Sequence, residues 1–97
     1  MHARMTRIQA SPDRLDALAQ QFQQDTLTQI QGLDGFQGYQ LLGDRANGTA
    51  IAITYWESAD AMQASEEAVQ RPRQQAAEAA GATAAPTVER FEVLQQP

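Results

Sequence analysis

The amino-acid sequence predicts an α+β fold: one four-stranded antiparallel sheet with two helices on one face. Three observations predict it. Apolar residues recur at helical spacing from Leu15 to Ile30; an Asn47-Gly48 reversal separates two β-rich runs; and a strand-like stretch over 87–94 returns after a second helical stretch. The 97 residues form one domain, 1–97, too short for two independent cores. Small domains are marginal alone, and with no cysteine to supply a disulfide the expected added support is a second subunit.

In chain order, residues 3–10 alternate loosely around Met5 and Ile8 and read as a first strand. Ser11-Pro12-Asp13 reads as a helix start, with Ser11 as cap, Pro12 at the first helical position, and Asp13 and Asp16 at the positive end of the dipole. Leu15, Leu18, Ala19, Phe22, Thr26 and Ile30 then form the apolar face of one helix, which closes at Gln31-Gly32. Gly35 to Gly43 and Ile51 to Trp56 read as strands, with Asn47-Gly48 supplying the positive φ values a hairpin needs. Ser58 caps a second helix from Ala59, with Met62, Ala68 and Val69 inward. Pro72 predicts a kink or restart near 70–73, and Gly81 a stop. Thr87 to Leu94 is the last strand.

The resulting order, βαββαβ, is the ferredoxin-like plan. Its second sheet face is uncovered, and two such faces bury each other across a two-fold axis to give a dimeric α/β barrel. Alternation sets Trp56 and Tyr55 on opposite faces; with Trp56 toward the helices, Ile51, Ile53 and Tyr55 take the open face, and the chain itself, as a homodimer, is the expected partner.

Composition excludes several functions. Without cysteine there is no thiol nucleophile and no thiolate metal site. Lys+Arg 7 against Asp+Glu 12 gives a net charge of −5, and the scattered arginines make no stripe for phosphates, so no nucleic acid is expected. No run of apolar residues reaches membrane-spanning length and the first residues lack an apolar signal core; the expectation is no membrane and a cytoplasmic location. No His/Asp/Glu spacing suggests a metal, and no glycine-rich stretch has phosphate-cradling order.

Gly35-Phe36-Gln37-Gly38-Tyr39, followed by the run from Asn47-Gly48 to Tyr55-Trp56-Glu57-Ser58, resembles the antibiotic biosynthesis monooxygenase family. The family has a Gly-aromatic-x-Gly opening to its second strand and a third strand ending Trp-Glu-Ser before a helix. The likeness continues to Val88-Glu89-Arg90-Phe91-Glu92-Val93 as the closing strand. It implies the barrel fold, and a membership that includes cofactor-free oxygenases of aromatic or quinol-type substrates, haem-degrading enzymes and proteins of unknown activity. The cofactor-free pattern has an Asn one or two strand turns before the tryptophan, with tyrosine and arginine on the next helix; this chain has Ala52 and Thr54 there, and Met62 after. The haem-degrading pattern needs a histidine and a tryptophan on the second helix, and residues 59–81 have neither.

These residues suggest a cofactor-independent monooxygenase-like protein acting on a small aromatic or quinol-type substrate, with no cofactor. The alternative is a non-catalytic dimer that binds a small apolar ligand. Trp56 is the first candidate: its indole either stacks on a flat ligand and donates one hydrogen bond, or simply fills the core. Tyr39 is the second catalytic candidate, offering a phenol to a substrate oxygen. Phe22, Phe36, Met62 and Arg4 are the substrate-binding candidates, with Arg4 and Arg90 on neighbouring strands placed to neutralise an oxyanion. His2 reads as surface at a mobile end, and Glu66 and Glu67 as a solvated helix face.

Overall fold

The computed structural model describes residues 1–97. Its strands are β1 (His2–Gln9), β2 (Phe36–Asp44), β3 (Thr49–Trp56) and β4 (Thr87–Glu92), in sheet order β2-β3-β1-β4 with every pairing antiparallel. The helices are α1 (Leu15–Gln21), α2 (Leu27–Ile30), α3 (Ala59–Ala64) and α4 (Glu66–Ala79). This is the ferredoxin-like arrangement the sequence predicts. Ile8, Ala10, Leu15, Leu18, Ala50, Ala76 and Ala80 form the buried cluster between sheet and helices, and the alanines of α4 let its backbone approach closely.

The register fixes which side chains meet. Arg4 lies opposite Thr54 on one side and Arg90 on the other, and Thr6 opposite Ala52 and Val88. These residues, with Ile8, Tyr39, Leu41 and Trp56, share the helix-covered face. Met5, Ile51, Ile53, Tyr55, Leu42 and Phe91 share the other, where Leu42 and Phe91 are nearly half exposed. A bulge between Phe36 and Gly38, with φ +151° at Gly38, puts Phe36 beside Trp56 and returns Tyr39 to the same face.

Six local expectations are corrected. The first helix is not uniform: a 3₁₀ turn (Pro12–Arg14) precedes α1, and a π-turn (Phe22–Thr26) joins α1 to α2. Leu18, Phe22, Thr26 and Ile30 are spaced by four, and four residues of α-helix overshoot a full turn by about 40°. The wider π-turn cancels that drift, so all four remain buried on one side. Ser11 makes no side-chain cap, whereas the Ser58 hydroxyl accepts from Ala61 N at 3.1 Å as expected. The second helix breaks not at Pro72 but at Ser65, whose hydroxyl donates back to Met62 O at 2.6 Å. α4 continues through Pro72, which forfeits one backbone bond while its ring is fully buried in the core.

The hairpin is longer than a two-residue reversal. Asp44 Oδ1 accepts from Ala46 N and Asn47 N, and only Gly48 takes positive φ, +76°. A Cβ there would collide with Ala10 O, whose own N–H donates to Gly48 O at 2.7 Å. β4 stops at Glu92, short of Leu94, and one further bond runs from Val93 N to Met1 O at 2.9 Å. His2 lies within β1, paired with both Trp56 and Glu92, because β1 is a central strand held from both sides.

Candidate functional site

Between the helix-covered sheet face and α1, α2 and α4 lies a partly open cavity of about 50 Å³. Leu18, Phe22, Ile30, Val69 and Pro72 supply its apolar wall. The polar residues of its lining are Arg4, Arg73, Thr6, Thr26 and Thr54, and no acidic residue is among them. The π-turn is what presents Phe22 and Thr26 to this space together, a placement for which such turns are often used at functional sites.

Arg4 is the centre of the polar end. It is 3% exposed, and its Nη2 donates to Met62 O at 2.6 Å and Ser65 Oγ at 2.9 Å, so it satisfies a carbonyl at the C-terminal end of α3. Its guanidinium sits 5.4 Å over the Trp56 ring, which adds a cation–π attraction. Its Nε–H is buried with no partner. Burial pulls the Arg4 pKa down from its ordinary value, partly opposed by Glu66.

Glu66 gathers three arginines: Arg4 at 3.0 Å, Arg73 at 3.1 Å and Arg90 at 2.8 Å. The expectation that Glu66 is a solvated helix residue is therefore corrected; its side chain is 26% exposed because α4 starts directly over the β1–β4 pair. Burial by itself would raise its carboxyl, but Arg90, Arg4 and Arg73 outweigh this and hold it below the usual glutamate value. Thr6, Thr26, Thr54, Glu66 and Arg73 were missed as site residues. Thr6 and Thr54 carry a retrievable signal, since each lies two residues from a candidate on the same strand face (Arg4 and Trp56).

The predicted site residues divide. Arg4 and Phe22 line the cavity; Trp56, Tyr39, Phe36 and Met62 do not. Trp56 is fully buried behind it, with Nε1 donating to Thr54 Oγ1 at 2.9 Å, so its one polar hydrogen is occupied within the protein. Phe36 meets Trp56 edge-on at 5.5 Å, and Tyr39 packs on Phe22 at 5.3 Å while 39% exposed. Met62 lines a separate outer groove with Glu66 and Arg90. Tyr55 is on the open sheet face, its hydroxyl donating to Gln40 Oε1.

Residues 1–70 match the family model described as antibiotic biosynthesis monooxygenase, and the chain belongs to that family. It is similar to the uncharacterized proteins Rv2557 and Rv2558 of Mycobacterium tuberculosis, 40% identical over 93 residues (96% of this chain) and 38% over 77 residues (79%). The chain spans 41% and 33% of their respective lengths, so it matches well under half of either relative. In structure it resembles a monooxygenase from the gene ActVA-Orf6 of Streptomyces coelicolor in complex with Nanaomycin D, with a TM-score of 0.81 and 14% identity over 99% of this chain and 89% of that one. It also resembles the haem degrader MhuD of M. tuberculosis, solved with two haems bound, with a TM-score of 0.71 and 22% identity over 100% and 99%. At these identities the likeness is one of fold. The residues here do not suit haem: α3 and α4 hold no histidine, and the one histidine of the chain, His2, is a strand residue whose Nδ1 is buried.

Proposed function

We propose that this chain is a monooxygenase-like enzyme that takes a small electron-rich aromatic compound of the quinol type into the helix–sheet cavity and needs neither metal nor flavin. The observation that carries this reading is the cavity's composition, mainly apolar walls with Arg4 and Arg73 among the lining residues. Such a substrate reduces dioxygen itself. A ring C–H carbon para to a phenol becomes a quinone carbonyl: loss of the C–H and phenol O–H hydrogens and gain of one oxygen is a four-electron oxidation, matching the four electrons O₂ accepts as one oxygen enters the new C=O and the other leaves as water with those two hydrogens.

The protein's part is orientation, exclusion of water and stabilisation of negative charge on the substrate oxygen. Arg4 carries that stabilisation, and Phe22 holds the ring. Trp56 acts as a positioning residue through Arg4 and Thr54; Tyr39 and Phe36 support Phe22 and Trp56 from behind. Oxygen uptake with a panel of dihydroxynaphthalenes is expected to exceed the buffer rate and to fall at least tenfold in Arg4→Met, with folding checked by circular dichroism. No uptake above buffer across the panel overturns the reading.

A second reading, a non-catalytic binder of a small apolar molecule, is favoured by one observation. The cavity of about 50 Å³ is small beside the roughly 300–1,000 Å³ typical of ligand pockets. It predicts ligand binding without oxygen uptake.

We also infer that two copies bury the open sheet faces against each other through Ile51, Ile53 and Tyr55, in the cytoplasm. An apolar patch of this kind on a small, marginally stable domain supports the pairing. Sedimentation at micromolar concentration is expected to give twice 10.6 kDa. Ile53→Asp is expected to give the single-chain mass, and a wild-type monomer contradicts the pairing.

A further inference from the structure

We infer that the Leu41 side chain is a movable partition between the helix–sheet cavity and a second cavity under α1, and that the two open into one compartment which admits a flat apolar ligand of two rings. The inference rests on the reading above that the helix–sheet cavity binds a ligand, and adds the entry route, the size limit and the residue that sets both.

A volume of about 50 Å³ is roughly a third of an engineered cavity that admits benzene, so the helix–sheet cavity holds no aromatic ring as it stands. Beside it, between α1 and the β2–β3 edge of the sheet, lies a cavity of about 170 Å³ walled by Leu15, Ala19 and Ala50. The two have two lining residues in common, Leu18 and Leu41. Those two side chains are the wall between them, and with the wall displaced the joined space exceeds the benzene-sized one.

Leu18 is the fixed half of the wall: it is 0% exposed and belongs to the buried cluster between sheet and helices. Leu41 is only half-buried, on β2, an edge strand with no neighbour on its outer side. The residues around it on the same sheet face are small: Ala52 directly opposite, Ala50 on the diagonal, and Gly43 two residues along the strand. A Cβ at Gly43 would stand at ordinary contact distance, 3.5 Å, from Leu15 Cδ1, so a side chain fits there and none is present. That space gives Leu41 a second staggered position, toward Gly43, in which it no longer divides the two cavities. On its other side Tyr39 is packed on Phe22 at 5.3 Å and closes the opposite direction.

The outer rim fits an entrance. Asp16 on α1 and Arg45 just beyond β2 line the second cavity and bridge its walls by two hydrogen bonds, of 2.8 and 3.3 Å. Their side chains are 81% and 70% exposed, and an ion pair so exposed holds its partners weakly. The route runs from this rim past Leu41 to Phe22 and Ile30.

The test is naphthalene titrated into methyl-labelled full-length protein, with Leu15 reporting the outer cavity and Ile30 the inner. In the wild type both residues are expected to shift along one saturation curve. Leu41→Ala is expected to raise the association rate at least fivefold, and Leu41→Phe to abolish the Ile30 shift while leaving that of Leu15. Gly43→Ala, which leaves Leu41 itself in place, is expected to slow association. No naphthalene binding, separate curves for Leu15 and Ile30, or an Ile30 response unchanged in all three variants would overturn the inference. Naphthalene binding with the expected leucine dependence but no oxygen uptake from quinols leaves this inference standing without the oxygenase reading; quinol turnover at the wild-type rate in Leu41→Phe does the reverse.

Discussion

Trp56→Ala is expected to cost about 4 kcal/mol of stability, the usual range for emptying a buried tryptophan site. For a domain of this size that lowers the melting temperature by roughly 15–30 °C. The size follows from what the ring touches: it is fully buried, meets Phe36 edge-on at 5.5 Å, supports the Arg4 guanidinium at 5.4 Å, and donates to Thr54. Alanine removes all of these and leaves a void next to a buried charge. Trp56→Phe keeps an aromatic face under Arg4 and loses the hydrogen bond, so a smaller cost of about 1–2 kcal/mol is expected. Thermal unfolding followed by circular dichroism separates the two variants. A drop of under about 5 °C for alanine would mean that Trp56 is not the core element described.

Glu66→Gln is expected to cost about 2 kcal/mol at neutral pH, because the partly buried carboxylate is lost while the buried Arg4 guanidinium keeps its charge. Here Arg4, Arg73 and Arg90 would face one another with no carboxylate between them. The cost should depend on pH in a definite direction. The folded Glu66 carboxyl lies below its ordinary value of 4.5, so the unfolded chain takes up the proton first as pH falls. Its contribution is complete above about pH 4.5 and is lost as pH drops through the folded value. Wild type and variant are therefore expected to differ most at pH 6–7 and to converge as pH falls through the folded Glu66 value, below 4.5. Equal denaturant midpoints at neutral pH would contradict the three-arginine arrangement.

The arrangement of the site was only partly legible in the sequence, for identifiable reasons. The strands could be read because Ile51-Ala52-Ile53-Thr54-Tyr55-Trp56 and Thr87-Val88 carry β-branched and aromatic residues, and alternation alone separated Tyr55 from Trp56. The topology also brought Arg4 beside Arg90. What alternation does not reveal is that α4 begins directly over that pair, so Glu66 reads as one more charge on a helix. The π-turn had a signal in the strict four-residue spacing of Leu18, Phe22, Thr26 and Ile30, which a plain α-helix cannot keep on one side. Pro72 misled because the rule for interior proline counts the lost hydrogen bond and omits the burial that offsets it. Alternation put Trp56 on the face opposite Tyr55, but the bond from its indole to Thr54 two residues earlier, which takes it out of direct reach of a ligand, depends on a side-chain rotamer that strand alternation does not specify.

The most direct test of the account is a crystal structure of the full chain grown with a dihydroxynaphthalene. The account predicts flat density inside the helix–sheet cavity, its oxygen within hydrogen-bonding distance of Arg4 and its ring against Phe22 and Leu18. A cavity closed around its own side chains, with the compound absent or lying on the open sheet face, would contradict it.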